Sequence, residues 1–145
     1  MFTECYCTQF RRSANALTGI YDDALRPVGL KITQLSLLRA LDRLGAATYK
    51  EIAAEVALDK TTISRNIKLL IDSGWVTISG EEDARYKVAK LSPSGIRMLR
   101  DAEPHWRNAQ TQVEREMKKF LKGPAKAALL EALETLQQVG SERRG

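Results

Sequence analysis

The sequence predicts a mainly α-helical protein that carries one small β-hairpin near its middle. Apolar residues recur every three or four positions through most of the 145 residues, which is the spacing of amphipathic helices. The run 75–79 is rich in β-branched and aromatic residues, the polar run 80–84 follows, and 85–91 returns as a second strand, which together predict the hairpin. The composition, 43% hydrophobic and 28% charged, is typical of a folded globular protein.

The first two helices are predicted from apolar spacing and from residues that begin or end helices. Residues 5–25 carry an apolar stripe, and Pro27 ends that pattern. A second helix is predicted to begin with Thr33 as its N-cap and to end at Gly45. Its inward face is expected to consist of four leucines, namely Leu35, Leu38, Leu41 and Leu44.

Two further helices follow with a very short connection. Thr48 is predicted to cap the third helix, and Glu51 completes a capping box three residues later. A turn at 57–58 leads to a fourth helix, which begins at the N-cap Asp59 and ends at Gly74. This is the helix-turn-helix arrangement, although the glycine usual in its turn is absent.

The fourth helix is predicted to be amphipathic, with Arg65 almost opposite its apolar stripe. No acidic residue occurs between Lys60 and Ile71, so cations and hydroxyl groups dominate the outer face. Such a face can donate hydrogen bonds to phosphates and to base edges in a major groove. The residues predicted to contact DNA from this helix are Lys60, Thr61, Thr62, Ser64, Arg65, Asn66 and Lys68.

The C-terminal third is predicted to contain two more helices. Ser92 caps a long helix that is expected to reach Leu121 and to be kinked at Pro104. A last helix is predicted over 125–139, followed by a frayed tail. The long helix would span roughly 40 Å, and a helix of that length needs a partner for its apolar face. We therefore expect the first, long and last helices to pack against a second copy; a monomeric bundle is the alternative.

This order of elements, with a hairpin directly after a helix-turn-helix, resembles the MarR family of bacterial transcriptional regulators. Within the hairpin, the pattern Asp83-x-Arg85 followed by Leu-Ser-x-x-Gly at 91–95 is similar to the family's wing, with Ser92 in place of threonine. Ala84 stands where the family often has an arginine. The stretches that carry the resemblance are 32–41, 58–76 and 82–95.

The resemblance implies a winged helix-turn-helix at 32–92 and a helical dimerisation region built from both chain ends, 1–31 and 93–145. It also implies a cytoplasmic homodimer that represses transcription by binding a pseudo-palindromic operator in double-stranded DNA and is released by a small ligand. In the family the wing arginine enters the minor groove; here that residue is Arg85, which Asp83 would orient. Lys87 is the third wing residue predicted to contact DNA. For Asp83 and Arg85, the alternative is an incidental salt bridge between exposed turn residues.

The resemblance further implies two possible signals. Family members bind a small, often phenolic or anionic molecule between the dimer helices and the winged lobe; the alternative is that the aromatic candidates here are core residues, as aromatic side chains at helical spacing more often are. The second possible signal is oxidation, because the spacing of Cys7 and Tyr21 resembles the peroxide-sensing branch, where a thiolate becomes a sulfenic acid. This chain has Arg11 where that branch has a second tyrosine, and the alternative is that Cys7 is a small buried apolar side chain. The candidate pocket residues are Arg12, Tyr21, Arg39, Tyr49 and Trp106.

Other classes of function have little support in the sequence. Two cysteines and one histidine cannot make a zinc set, no glycine-rich phosphate loop occurs, and we expect neither an enzyme nor a cofactor. The N-terminal segment lacks the apolar core of a leader, and no apolar run reaches the length of a membrane span, which predicts a cytoplasmic protein. The net charge of +5 permits a nucleic-acid partner. A winged-helix module that binds another protein and a nonspecific DNA-binding protein remain as rivals.

Overall fold

The computed structural model describes residues 3–80 and 86–143 of the chain, and helices predominate in them, which confirms the predicted class. The helices are α1 Tyr6–Leu25, α2 Ile32–Leu44, α3 Tyr49–Val56, α4 Lys60–Asp72, α5 Pro93–Met117 and α6 Ala125–Glu142. The strands are β1 Ala46–Thr48, β2 Val76–Ser79 and β3 Val88–Leu91.

The strands form one antiparallel sheet in the order β1–β3–β2. β2 and β3 are the predicted hairpin, and their register runs from Val76 opposite Leu91 to Ser79 opposite Val88. β3 is shorter than the predicted strand at 85–91 and begins only at Val88. β1 was absent from the sequence prediction; it lies along the other edge of β3, and it leads directly into α3.

The chain divides into two units, residues 1–109 and 110–145. In the first unit, α4 packs against α2, α3 and β2, so that its inner face lies in the hydrophobic core. This packing holds α4 in place and leaves its opposite face exposed to solvent. The large side chains at the centre of this core are Leu25, Leu35, Leu37, Leu38, Leu41, Ile52, Ile63, Ile67 and Leu70.

The start of α2 differs from the sequence prediction, in which Thr33 was the N-cap. The helix begins at Ile32, and Lys31 occupies the cap position. The Ile32 amide donates to the Asp22 carboxylate at 2.7 Å, and the Lys31 amide donates to the Gln34 side chain at 2.9 Å. An acceptor in α1 thus satisfies the first amide of α2, and the Gln34 side chain satisfies the amide of the cap residue, so the helix begins before Thr33.

The inward face of α2 also differs at one of its four predicted leucines. Leu44 is 40% exposed because it is the last residue of the helix, where Gly45 turns the chain with φ of 79°. The buried residues of the helix are Leu35, Leu37, Leu38, Ala40 and Leu41.

The two C-terminal helices end at other residues than predicted. α5 contains Pro104 as expected but ends at Met117, four residues before the predicted Leu121. The amide of Phe120 donates to the carbonyl oxygen of Met117, only three residues back, so the last turn tightens instead of continuing the helix. α6 extends to Glu142, through part of the predicted frayed tail. In the described ranges, no helix combines the length and apolar character needed to cross a bilayer.

Apolar side chains of α1 and α6 remain exposed in the single chain. In α1 only Leu25 is buried, although Phe10 and Leu17 belong to the predicted apolar stripe. In the unit 110–145, α6 has no buried residue, and Leu130 and Leu136 are about half exposed. These faces are those expected to pack against a second copy.

Candidate nucleic-acid interface

The turn between α3 and α4 sets the direction of the candidate DNA-contacting helix. Ala57 adopts the left-handed conformation, with φ of 54° and ψ of 38°, so it does the work that glycine usually does in this turn. At the start of α3, the Thr48 and Glu51 side chains form the predicted capping box. Hydrogen bonds from the Thr48 amide and hydroxyl lower the pKa of Glu51, so this carboxylate stays ionised at the helix start.

The predicted outer face of α4 is exposed in the structure. Ile63, Ile67 and Leu70 are buried in the core, and Arg65 lies on the opposite side. Leu69, which sequence reasoning did not single out, shares this face and is 48% exposed. The predicted contact residues that are exposed are Lys60, Thr61, Ser64, Arg65 and Lys68, whereas Thr62 and Asn66 are half-buried.

Asp59 organises the first turn of α4, as its predicted cap role requires. Its carboxylate accepts from the Thr62 amide at 2.8 Å and from the Thr62 hydroxyl at 3.0 Å. Both hydrogen bonds lower the pKa of the Asp59 carboxyl, and the bond from the Thr62 amide has the larger effect. The hydroxyl proton of Thr62 is thus directed at Asp59, which leaves the hydroxyl oxygen to act as an acceptor.

Asn66 is likewise engaged within the helix. Its Nδ2 donates to the Thr62 carbonyl oxygen at 2.8 Å, one turn back along α4. One amide proton is therefore committed, and a phosphate contact from Asn66 would use the second proton of the same nitrogen. Lys60, Arg65 and Lys68 are the exposed cations of this face.

The wing is described only at its base. Asp83 and Arg85, the two predicted contacts at its tip, lie outside the described residues. Lys87 is described and is half-buried just before β3. Gly80 leaves β2 with φ of 112°, and a Cβ there would lie 2.6 Å from the Tyr86 carbonyl oxygen, so only glycine fits where the hairpin narrows.

Three of the five predicted ligand-pocket residues form one cluster. Tyr21 of α1 and Trp106 of α5 stack with ring centroids 6.5 Å apart, and the Arg39 guanidinium of α2 lies 4.1 Å above the Trp106 ring. Arg39 also forms an ion pair with Glu103 at 2.9 Å, and Arg107 pairs with the same carboxylate at 2.9 Å. These groups contact one another, so the cluster joins α1, α2 and α5.

The other two predicted pocket residues do not belong to this stack. Arg12 lies nine residues before Tyr21 on the same helix, which is about 13 Å along the axis. Tyr49 packs at the edge of the core, and its burial raises the pKa of its hydroxyl. A cavity of about 400 Å³ between α2 and α5 is lined by different residues, namely Asp42, Ile96, Leu99, Arg100, Glu103 and Pro104.

The two cysteines lie at the start of α1 and are both free and exposed. Cys7 is therefore not buried within the single chain. Cys7 and Tyr21 occupy one continuous helix, so they are about 21 Å apart and cannot pair within a chain. Hydrogen bonds with Thr8, chiefly through its side chain, lower the pKa of the neighbouring Cys5, which the sequence analysis did not consider as a sensor.

The sequence of this chain is similar to that of known proteins. The sequence profile of the MarR family matches residues 28–85. An uncharacterized HTH-type transcriptional regulator of Bacillus subtilis, YwoH, is 34% identical over 84 residues, which are 58% of this chain and 61% of that protein. The matched region thus spans less than two thirds of that relative's length.

Two solved structures extend the similarity to nearly the full chain. The Mycobacterium tuberculosis transcriptional regulator MosR, in a crystal structure with DNA, superposes with a TM-score of 0.80 and 32% identity, over 98% of this chain and 100% of that one. BpsR of Bordetella bronchiseptica superposes with a TM-score of 0.80 over 95% of this chain and 97% of its own. Its 20% identity shows a shared fold alone.

Proposed function

The chain belongs to the MarR family, and on this basis we propose that it is a transcriptional regulator that binds double-stranded DNA in a sequence-specific manner. The observation that carries the proposal is the outer face of α4. Arg65 is exposed at the centre of this face, and Lys60 and Lys68 are exposed on either side of it along the helix. The opposite face of the helix is buried in the core. A rigid helix with this chemistry suits the major groove.

The contacts divide by chemistry into those that read bases and those that position the protein. Arg65 and Thr61 donate to base edges, with Thr62 and Ser64 beside them. Lys60, Asn66 and Lys68 bind phosphates, which sets the register on the duplex but carries no sequence information. At the wing, Arg85 enters the minor groove and Asp83 holds its guanidinium, with Lys87 at the base of the hairpin.

The active species in this proposal is a homodimer. The exposed apolar side chains of α1 and α6, among them Phe10, Leu17 and Leu136, support it, because burial against a second copy removes them from water. A two-fold axis then presents two α4 helices about one DNA turn apart, so the operator is a pseudo-palindrome. Size-exclusion chromatography with light scattering tests this step by giving twice the mass of one chain.

We further propose that the protein represses transcription and that a small aromatic or anionic ligand relieves this repression. The cluster around Trp106 supports it, since Trp106 of α5 stacks with Tyr21 of α1, and Arg39 of α2 contacts both Trp106 and Glu103 of α5. A ligand carboxylate that competes with Glu103 for Arg39 would loosen this connection and change the spacing of the two α4 helices. Salicylate serves as a probe: it should weaken operator binding by the wild type but not by the Arg39→Met variant.

A second candidate signal is oxidation, which the exposure of Cys7 favours because an oxidant can reach the thiol. Hydrogen peroxide should then release the wild-type protein from DNA, whereas the Cys7→Ser variant should stay bound. Cys5→Ser is the matched control, since this thiol lies two residues away and is also exposed. Release of the Cys7→Ser variant by peroxide would reject a role for Cys7.

The experiment that tests DNA binding is fluorescence anisotropy with the full chain. Operator sequences are first selected from a random duplex library, and affinity is then measured between about 50 and 200 mM salt. With about six phosphate contacts per dimer, we expect the affinity to fall roughly 10³-fold over this range. Lys122→Ala, an exposed lysine outside the proposed face, is the control and should behave as the wild type. Weak binding that does not depend on salt would favour the protein-interaction rival.

A further inference from the structure

Leu69 is an exposed aliphatic residue on the face of α4 that the proposed function assigns to DNA. It is 48% exposed, although the other leucine of this helix, Leu70, is fully buried. Leu69 follows Arg65 by four residues and Thr62 by seven, so all three lie along one side of the helix. From Arg65 it is about 6 Å along the axis and about 40° around it.

Single exposed leucines are common on protein surfaces, so exposure alone implies nothing. The position of Leu69 is what matters, because it lies one helical turn after Arg65 on the same side of α4 and so faces the same groove as Arg65 when the helix lies in it. The phosphates that border the groove offer an aliphatic side chain nothing to bind. Among the groups that base pairs present in that groove, the thymine C5-methyl is the apolar one.

The polar side chains on the same side of Arg65 have part of their hydrogen-bonding capacity already committed. The Thr62 hydroxyl proton is directed at Asp59, and one Asn66 amide proton is donated to the Thr62 carbonyl oxygen. On the other side of Arg65, Thr61 and Lys68 are exposed and polar. Leu69 thus adds an apolar contact surface beside the polar groups of this face.

We propose that Leu69 contacts the C5-methyl group of a thymine in each half-site and thereby determines part of the sequence specificity. This inference rests on the proposed function, because it requires that α4 lie in a major groove. It adds a residue that neither the motif nor the charge pattern of the helix indicates. It also predicts which chemical group of the operator is recognised at that position.

The test replaces single thymines of the selected operator by deoxyuridine, which removes the methyl group and leaves base pairing unchanged. For the wild type, one thymine in each half-site should lower the affinity about fourfold when it loses its methyl group. For Leu69→Ala the thymine and uracil operators should bind equally well. Because Leu69 is exposed, this variant should keep the wild-type unfolding midpoint, which thermal denaturation checks.

Lys68→Ala is the matched control, since the residue is adjacent and exposed but assigned to a phosphate. It should weaken binding to both operators by the same factor and keep the fourfold preference for thymine. The inference is overturned if uracil substitution affects the wild type and Leu69→Ala alike, or affects neither, while both bind the operator. Failure of the wild type to bind any duplex would instead reject the proposed function.

Discussion

The Ser92 hydroxyl donates a 2.6 Å hydrogen bond to the Gly74 carbonyl oxygen, and this contact links the end of α4 to the start of α5. The same Oγ accepts from the Gly95 amide at 3.0 Å, as an N-cap does, and the Ser92 amide donates to the Trp75 carbonyl oxygen at 3.0 Å. A Cβ at Gly95 would lie 2.1 Å from that Trp75 oxygen. The C-terminal end of α4 therefore lies close to the start of α5 and is held there by these hydrogen bonds.

Replacing Ser92 by alanine should lower the free energy of unfolding by about 1–3 kcal/mol, because the variant leaves the Gly74 carbonyl oxygen and the buried Gly95 amide without their Ser92 partner. The residue is only 7% exposed, so water cannot easily take its place. Urea denaturation measures the loss. Ser92→Thr keeps the hydroxyl and is the control; equal stability of Ser92→Ala and the wild type would contradict the assigned role.

Ala57→Gly should stabilise the protein, although glycine in most positions destabilises. Ala57 has a positive φ, which costs an ordinary residue roughly 1–2 kcal/mol, and glycine removes this strain at a smaller cost in backbone entropy. We expect a gain of about 0.5–1 kcal/mol in the free energy of unfolding.

The same chemical change at Ala54 provides the comparison for the turn. Ala54 is exposed within α3, so Ala54→Gly should destabilise by about 1 kcal/mol. Thermal or urea denaturation of both variants shows whether each substitution raises or lowers the free energy of unfolding. If both substitutions destabilise the protein, the left-handed conformation assigned to Ala57 is incorrect.

The stability of the Trp106 cluster should depend on pH through Glu103. Hydrogen bonds from Arg107, and then contacts with Arg39, hold the pKa of this carboxyl below its ordinary value of 4.5. The folded protein thus binds the proton less readily than the unfolded chain does. The resulting stabilisation is complete above the ordinary pKa and is lost as the pH falls through the lower value in the folded state.

Glu103→Gln should therefore have a lower urea midpoint than the wild type at neutral pH, and the difference should shrink on acidification. Glu131→Gln, an exposed glutamate on α6, is the control and should follow the wild-type profile. A difference between wild type and Glu103→Gln that is constant across the pH range would show that the charge of Glu103 does not contribute.

Arg65 and Lys68 should respond differently to substitution because one is assigned to bases and the other to phosphate. Arg65→Ala should cost about 1–3 kcal/mol of binding free energy and relax the preference for the operator. Lys68→Ala should weaken binding to all duplexes similarly and reduce the salt slope by about 1 per protomer. Titrations on operator and random duplex distinguish the two; an unchanged operator preference in Arg65→Ala would remove its base-reading role.

Much of the fold was predictable because several local signals agree. For α4, the cap at Asp59, the apolar stripe and the glycine at its end all indicate the same helix, and the structure contains it at Lys60–Asp72. Strand β1 was missed for the opposite reason. Its three residues, Ala46–Thr48, have no alternating pattern, and only pairing with β3 makes them a strand.

Features of the site that depend on tertiary contacts could not be read from the sequence. The spacing of α1, α2 and α5 in the chain does not indicate that Arg39 covers the Trp106 ring or pairs with Glu103. These contacts arise from how the helices pack. Leu69, by contrast, could have been found from the sequence, because the periodicity of α4 places it about 40° from Arg65 on the outer face, where it is exposed.

Hydroxyl-radical footprinting of the full chain on the selected operator measures whether a homodimer binds DNA through both of its α4 helices. Recognition by two α4 helices of a homodimer predicts two protected regions, related by the operator's pseudo-two-fold axis and about 10 base pairs apart. At the lowest protein concentration at which the wild type fully protects the operator, Arg65→Ala should protect both regions more weakly and to the same extent. One asymmetric protected region, or equal protection by the wild type and Arg65→Ala at that concentration, would show that two α4 helices do not read the operator through Arg65.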